Sequence, residues 1–146
     1  MKELDPIADD EELFRRVSAS AVPQQYDPVT DILSDQAFAP HKTMDASGIS
    51  VYRKKFKSLE QAAVGRPGKS YFVAVLRAGD LRRHGISVVP RPNLPDGQFD
   101  AAHAELPDLN SATRKHDATI ERQRLLANEL CLRVEGPFPM PESDSA

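Results

Sequence analysis

The chain has 146 residues, enough for one domain with a real core, and its lone cysteine, Cys131, excludes an intramolecular disulfide or a thiolate-cluster zinc site. A mean hydropathy of −0.48 with 12 prolines and 7 glycines implies short elements joined by many loops. No run approaches the roughly 18 apolar residues of a membrane helix. The net charge of −3 hides a division: Arg53 to Arg91 holds ten Lys/Arg against two acids, a local +8, and the remainder carries −11.

Residues 1–12 carry six acids and one lysine and read as a flexible acidic arm. With no apolar segment there, a secretory signal is not expected and the chain reads as cytoplasmic. In Leu13-Phe14-Arg15-Arg16-Val17, Leu13 and Val17 share one side and Phe14 and Arg16 the other, the pattern of a short strand. Asp27-Pro28 resembles a capped helix start. Val29, Ile32 and Leu33 at i, i+3 and i+4 then predict a helix over 28–36. Ile49-Ser50-Val51-Tyr52 alternates as a half-buried strand does. Ser58 caps a short helix over 59–64, stopped by Gly65 and Pro67.

Tyr71–Leu76 is the most apolar run of the chain and predicts a strand buried on both faces. Residues 78–85 allow at most one helical turn, ended by Gly85, and Ile86–Val89 predicts a second strand closed by Pro90 and Pro92. After a turn-rich loop over 93–100, His103–Leu106 predicts a short strand ended by Pro107. Asn110 or Ser111 caps the longest helix, 112–130, with an apolar stripe of Ala118, Ile120, Leu126, Ala127 and Leu130. Cys131–Val134 predicts a last strand. The Pro-rich residues 136–146 read as a mobile tail. The order β-α-β-α-β-β-β-α-β leaves gaps too short for repeated parallel crossovers. The fold class is therefore α+β: one domain over 13–135, a mostly antiparallel sheet of about five or six short strands, and a C-terminal helix packed on it.

The segment Ala63-Val64-Gly65-Arg66-Pro67-Gly68-Lys69-Ser70 looks like a phosphate loop, but Ala63 stands where glycine is required and a strand follows instead of a helix. It reads as a turn. His41, His84, His103 and His116 are scattered, so no metal site and no cofactor are expected; zinc on His103, Glu105 and a distant histidine is the alternative. On a strand, His103 and Glu105 project from one face about 6–7 Å apart, placed to share acid–base work on a hydroxyl or phosphodiester. Arg16 from the first strand would stabilise the developing anion, and Ser50 joins from its own strand. The competing reading is a solvated strand face with a local hydrogen bond.

Arg53, Lys54, Lys55 and Lys57, interleaved with Tyr52 and Phe56, together with Arg82 and Arg83, are the candidate nucleic-acid or phosphate contacts. The alternative is internal neutralisation, with the acidic ends folded against the basic middle.

In residue type and order, Arg16, Ser50 and Glu105 resemble the set of some ADP-ribosyltransferases. That resemblance implies that the Arg and Ser hold a dinucleotide while the Glu orients the transfer. The order Arg16, His103, Glu105 likewise resembles small toxin-like ribonucleases, implying cleavage of RNA through its 2′-hydroxyl. The chain lacks the paired glutamate-x-glutamate or glutamine-x-glutamate motif of many of the transferases. The ordered set Leu-Phe-Arg-Arg (13–16), Ser-Asp-Gln-Ala-Phe (34–38), Gly-Ile-Ser-Val-Tyr-Arg (48–53), Val-Val-Pro-Arg-Pro (88–92) and His-Ala-Glu-Leu (103–106) resembles a family of small uncharacterised bacterial proteins. That resemblance implies a single bacterial domain. Two functions follow as expectations. One is an accessory, antitoxin- or defence-like interaction module working through a protein partner. The other is a small enzyme acting on a nucleotide or RNA through Arg16, Ser50, His103 and Glu105.

Overall fold

The computed structural model describes residues 5–138. Its frame is a six-stranded antiparallel sheet in the order β6-β7-β4-β1-β5-β8. β1 is Glu12–Ser18, β4 Ile49–Arg53, β5 Tyr71–Arg77, β6 Val89–Pro90, β7 His103–Leu106 and β8 Arg133–Phe138. β4 and β5 both run antiparallel to β1 and flank it, so the link between them steps across β1. That link carries helix α1, Leu59–Ala62, started by a reciprocal capping box between Ser58 and Gln61. The α+β class and the antiparallel sheet expected from the sequence are what the chain forms.

Period-two alternation sorts the strands between two layers. On one face Leu13, Val17, Ile49, Val51, Phe72, Ala74, Leu76, Ala104 and Leu106 pack against Phe38, Leu81, Ile86, Leu109, Leu126 and Leu130. On the other, Phe14, Tyr52, Val73 and Val75 pack under Ala62, Ala63 and Ala102. β5 is covered on both sides, which is why its sequence is continuously apolar. Gly48 precedes β4 at φ +134°, and a Cβ there would lie 2.5 Å from the Leu106 carbonyl oxygen. Only glycine allows this approach of β4 to β7, and the approach sets the register that puts Ser50 opposite Glu105.

The helix expected over 28–36 is absent. Two-residue strands β2, Tyr26–Asp27, and β3, Ile32–Leu33, form a hairpin there, followed by a 3₁₀ turn over Asp35–Phe38. The Asp27 carboxylate accepts from the Val29 amide at 2.9 Å, so it closes a turn instead of capping a helix. Val29 is 90% exposed and only Leu33 of the expected stripe enters the core. The Tyr26 hydroxyl donates to Asp31 at 2.6 Å; that bond, then burial, pushes the phenol up to about 12.

The strand expected at 86–89 is shortened for an equally local reason. Helix α2, Ala78–Arg83, ends with Gly85 at φ +75°. The Ile86 amide bonds back to Leu81 O at 2.9 Å and that of Gly85 to Arg82 O at 3.1 Å. This is a Schellman ending, and it uses Ile86 to finish the helix. The C-terminal helical segment also differs from a single run. Asn110 caps a 3₁₀ turn at Ser111–Thr113, helix α3 spans Asp117–Leu125, and a π-helical turn follows over Leu126–Leu130. Its inner face holds Thr119 and Gln123 with Leu126 and Leu130, while Ala118 is exposed.

The described part of the acidic arm, residues 5–11, is docked. Ile7 is buried and the Gly79 amide donates to Asp9 O at 2.8 Å. At the other end, 136–138 belong to β8, which pairs Phe138 with Tyr71. The remainder of the expected arm, 1–4, and of the expected tail, 139–146, lies outside the described residues.

Candidate functional site

Arg16 follows Phe14 by two positions in β1, Tyr52 follows Ser50 by two in β4, and Glu105 follows His103 by two in β7. Spacings of two keep all of them on the α1 side of the sheet. The register sets Phe14 opposite Tyr52, Tyr52 opposite His103 and Ser50 opposite Glu105. A half-buried arginine helps hold Ser50 in place. From the opposite face of β1, Arg15 donates to Ser50 O at 2.9 Å and to Ala37 O at 3.1 Å. Burial lowers its pKa from the ordinary guanidinium value.

His103 is fixed at both ring nitrogens. Nδ1 lies 2.7 Å from Arg91 O, and Nε2 lies 3.0 Å from Ser50 Oγ. A carbonyl can only accept, so Nδ1 carries the proton in the neutral ring. Nε2 then holds the lone pair and takes the hydroxyl hydrogen of Ser50. The Arg91 amide in turn donates to His103 O at 3.0 Å, so the loop after β6 and the imidazole lock each other. The Tyr52 ring stands edge-on to the imidazole at 6.0 Å.

Glu105 is nine-tenths buried, and its Oε1 has no hydrogen bond. Arg91 Nε lies 3.3 Å from that oxygen, an ion-pair distance without hydrogen-bond alignment. The carboxylate thus keeps an unused acceptor two residues along the strand from the basic nitrogen of His103.

Arg16 donates to Tyr52 Oη and to Val64 O, and its guanidinium stands 4.7 Å from the Tyr52 ring centroid and 5.9 Å from that of Tyr71. Gly65 brings the 64–66 segment flat onto the Tyr71 ring, where a Cβ would meet ring carbon at 2.6 Å. Neither partner of Arg16 is a carboxylate, and among the described residues it has no ion pair. Arg16 reaches His103 through Tyr52 and does not touch Glu105. The four expected residues therefore share one face, in two contacts joined by a tyrosine.

The expected phosphate contacts divide. Arg53 is 1% exposed and fully engaged, donating to Glu11 at 2.7 and 2.9 Å, to Asp5 at 2.7 and 2.9 Å and to Pro6 O at 3.1 Å. The Glu11 hydrogen bond leads in holding its pKa above the ordinary value. It is a structural ion and leaves the phosphate-binding set. Arg82 pairs with Asp9, and Arg83 with Asp80, on α2. Lys54, Lys55 and Lys57, with Phe14, Phe56 and Arg133, line a groove of about 500 Å³. Lys57 pairs with Asp100 at 2.8 Å and stands 4.5 Å from the Tyr52 ring centroid. Burial pushes the Asp100 carboxyl up, but the hydrogen bonds from Lys57 and the Ala102 amide outweigh it and leave the pKa lowered.

Among the described residues, no three His, Cys, Asp or Glu side chains gather where they could hold a metal ion. None of the described helices is long and apolar enough to cross a membrane. Sequence reasoning missed Tyr52 as the bridge, although its i+2 spacing from Ser50 was a usable signal. Arg91 and the Val64 carbonyl come from loops, where no periodic signal exists. The chain matches no family model, and comparison with curated proteins and with solved structures returns no match.

Proposed function

We propose that the protein is a small cytoplasmic enzyme acting on the ribose-phosphate of a nucleotide or RNA. The observation that carries this reading is the fixed tautomer of His103. Its Nε2 lone pair meets a hydroxyl at 3.0 Å, with the orphan acceptor of Glu105 on the same strand face. An imidazole acceptor at a hydroxyl, on the same sheet face as a carboxylate and an arginine without a carboxylate partner among the described residues, suits a ribose hydroxyl next to a phosphate. Ser50 Oγ marks the position a substrate hydroxyl takes. On RNA, Nε2 removes the 2′-hydroxyl proton, O2′ forms a bond to phosphorus, and the P–O5′ bond breaks. Arg16 offsets the added negative charge, and the leaving 5′-oxygen takes a proton from water.

The test is turnover of end-labelled RNA and of a dinucleotide such as NAD. His103→Ala and Glu105→Ala are expected to abolish it, with circular dichroism unchanged. Full turnover by either variant contradicts the reading.

A second reading, an antitoxin- or defence-like accessory module bound to a protein partner, is favoured by the apolar side chains of the β2–β3 region and the loop after it. Val22, Val29, Ile32 and Met44 are 65–95% exposed. Under it, Val29→Asp with Ile32→Asp abolishes partner capture, and the His103 and Glu105 variants leave capture intact.

A further inference from the structure

We propose that Tyr52 is the acid of the same site: given the enzyme reading, its phenol hands its proton to the 5′-oxygen leaving phosphorus. His103 and Arg16 already place a base and a cation on this face. A leaving alkoxide needs a third group with a proton to give. The other hydrogens of the cluster are committed. That of Ser50 goes to His103 Nε2 at 3.0 Å, Lys57 is engaged by Asp100 at 2.8 Å, and a guanidinium does not deprotonate. Tyr52 differs. Its oxygen accepts from Arg16, and among the described residues no acceptor takes its own hydrogen.

The sheet sets that phenol between the other two groups. Tyr52 is the register partner of Phe14 in β1 and of His103 in β7. Its ring stands edge-on to the imidazole, with centroids 6.0 Å apart. The Arg16 guanidinium stands 4.7 Å from the same ring centroid and Lys57 Nζ 4.5 Å. Charge left on Oη as the proton departs therefore forms one hydrogen bond away from a positioned cation. Tyr71, the other phenol near Arg16, is on β5, with β1 and β4 between it and His103.

The step balances. His103 Nε2 takes the 2′-hydroxyl hydrogen, O2′ bonds to phosphorus, the P–O5′ bond breaks, and O5′ leaves with the Tyr52 hydrogen. The products are a 2′,3′-cyclic phosphate and a 5′-hydroxyl. The imidazolium then gives its proton to water and the phenolate regains one from water, so water remains the net source.

The experiment compares two substrates that close the same cyclic phosphate, uridylyl-(3′→5′)-uridine and uridine 3′-(4-nitrophenyl phosphate). The first expels an alkoxide, which needs a proton, and the second expels 4-nitrophenolate, which does not. Tyr52→Phe keeps the ring and removes only the hydroxyl. It is expected to lower kcat/KM about 10²-fold or more on the dinucleotide and less than about threefold on the nitrophenyl ester. His103→Ala lowers both alike. Equal losses on the two substrates in Tyr52→Phe would make Tyr52 a positioning residue for Arg16, and an unchanged dinucleotide rate would put the acid elsewhere. Either overturns the proposal and spares the enzyme reading. Where Tyr52→Phe fails to fold, a wild-type series of uridine 3′-aryl phosphates decides. A donated proton makes the rate nearly independent of leaving-group basicity, and a steep decline from 4-nitrophenyl to phenyl overturns it. Wild type inert on every one of these substrates ends the cleavage chemistry of the enzyme reading, and the acid with it.

Discussion

Two polar clusters occupy this one sheet. At the end of β4, Arg53 is buried with five hydrogen bonds to Asp5, Pro6 and Glu11. Across β1, β4 and β7, Arg16, Ser50, His103 and Glu105 are half-buried or buried as well, but they are not closed. Among the described residues Glu105 Oε1 has no hydrogen bond and only the half-exposed Arg91 at ion-pair distance, Arg16 has no carboxylate partner, and the His103 lone pair meets a small hydroxyl. Burial alone does not separate a structural ion from a working one. Completed pairing marks the first, and unused acceptors with an uncompensated cation mark the second.

The contrast breaks first at Arg53. Arg53→Ala leaves Glu11 uncompensated at 10% exposure and frees the half-exposed Asp5. It should cost about 3 kcal/mol in urea unfolding, at the low end for a broken buried pair, with turnover per folded molecule unchanged. Loss of turnover without loss of stability would place Arg53 in the working cluster. Gly48→Ala comes next. Left-handed strain and the contact with Leu106 O predict a loss of about 2–3 kcal/mol. Activity should fall further than stability does, because the register carries Ser50 and Glu105. Glu105→Gln sharpens the comparison from the other side. Removing a buried charge with an unmade hydrogen bond changes stability by less than about 1 kcal/mol, while turnover is lost. A drop as large as that of Arg53→Ala would show the carboxylate to be structural.

The smallest effect is on the pH dependence of folding. Asp5, held down first by its hydrogen bond from Lys55, and Asp100, held down by Lys57 against its burial, both titrate below the ordinary carboxylate range. Their stabilisation is complete above an unfolded pKa of about 3.9 and is lost as pH falls through the depressed folded values. Thermal midpoints should therefore be flat from pH 7 to 5 and decline below 4, less steeply in Lys57→Met. A decline beginning above pH 5 would assign acid lability to other groups.

The strands were legible where alternation is strict or an apolar run is continuous. Leu13–Val17, Ile49–Tyr52 and His103–Leu106 lie within observed strands because side-chain period fixes both strand and face, and Tyr71–Leu76 does because a strand covered on both sides is apolar throughout. The same alternation put Arg16, Ser50, His103 and Glu105 on one side of the sheet. It also sets Arg53 with Ile49 and Val51 on the opposite side. Its acidic partners are about forty residues away in sequence, and no local pattern reveals them. The failures were local chemistry overriding a periodic pattern. Asp27 made a turn from a helix start, and Ile86 closed a helix instead of opening a strand. Arg91, which fixes the tautomer of His103, comes from a proline-flanked loop and acts through its backbone carbonyl, which any residue possesses.

The measurement that bears most directly on the working cluster uses a DNA octamer with one ribonucleotide at its centre. Wild type should cut it after that ribose and leave the all-DNA octamer intact. In His103→Ala, with thermal midpoint unchanged, cleavage should fall by about 10²–10⁴-fold, the contribution of a positioned acid–base group. Equal cleavage of both strands, or full cleavage by His103→Ala, would contradict the assignment of His103 as the base that activates a ribose hydroxyl.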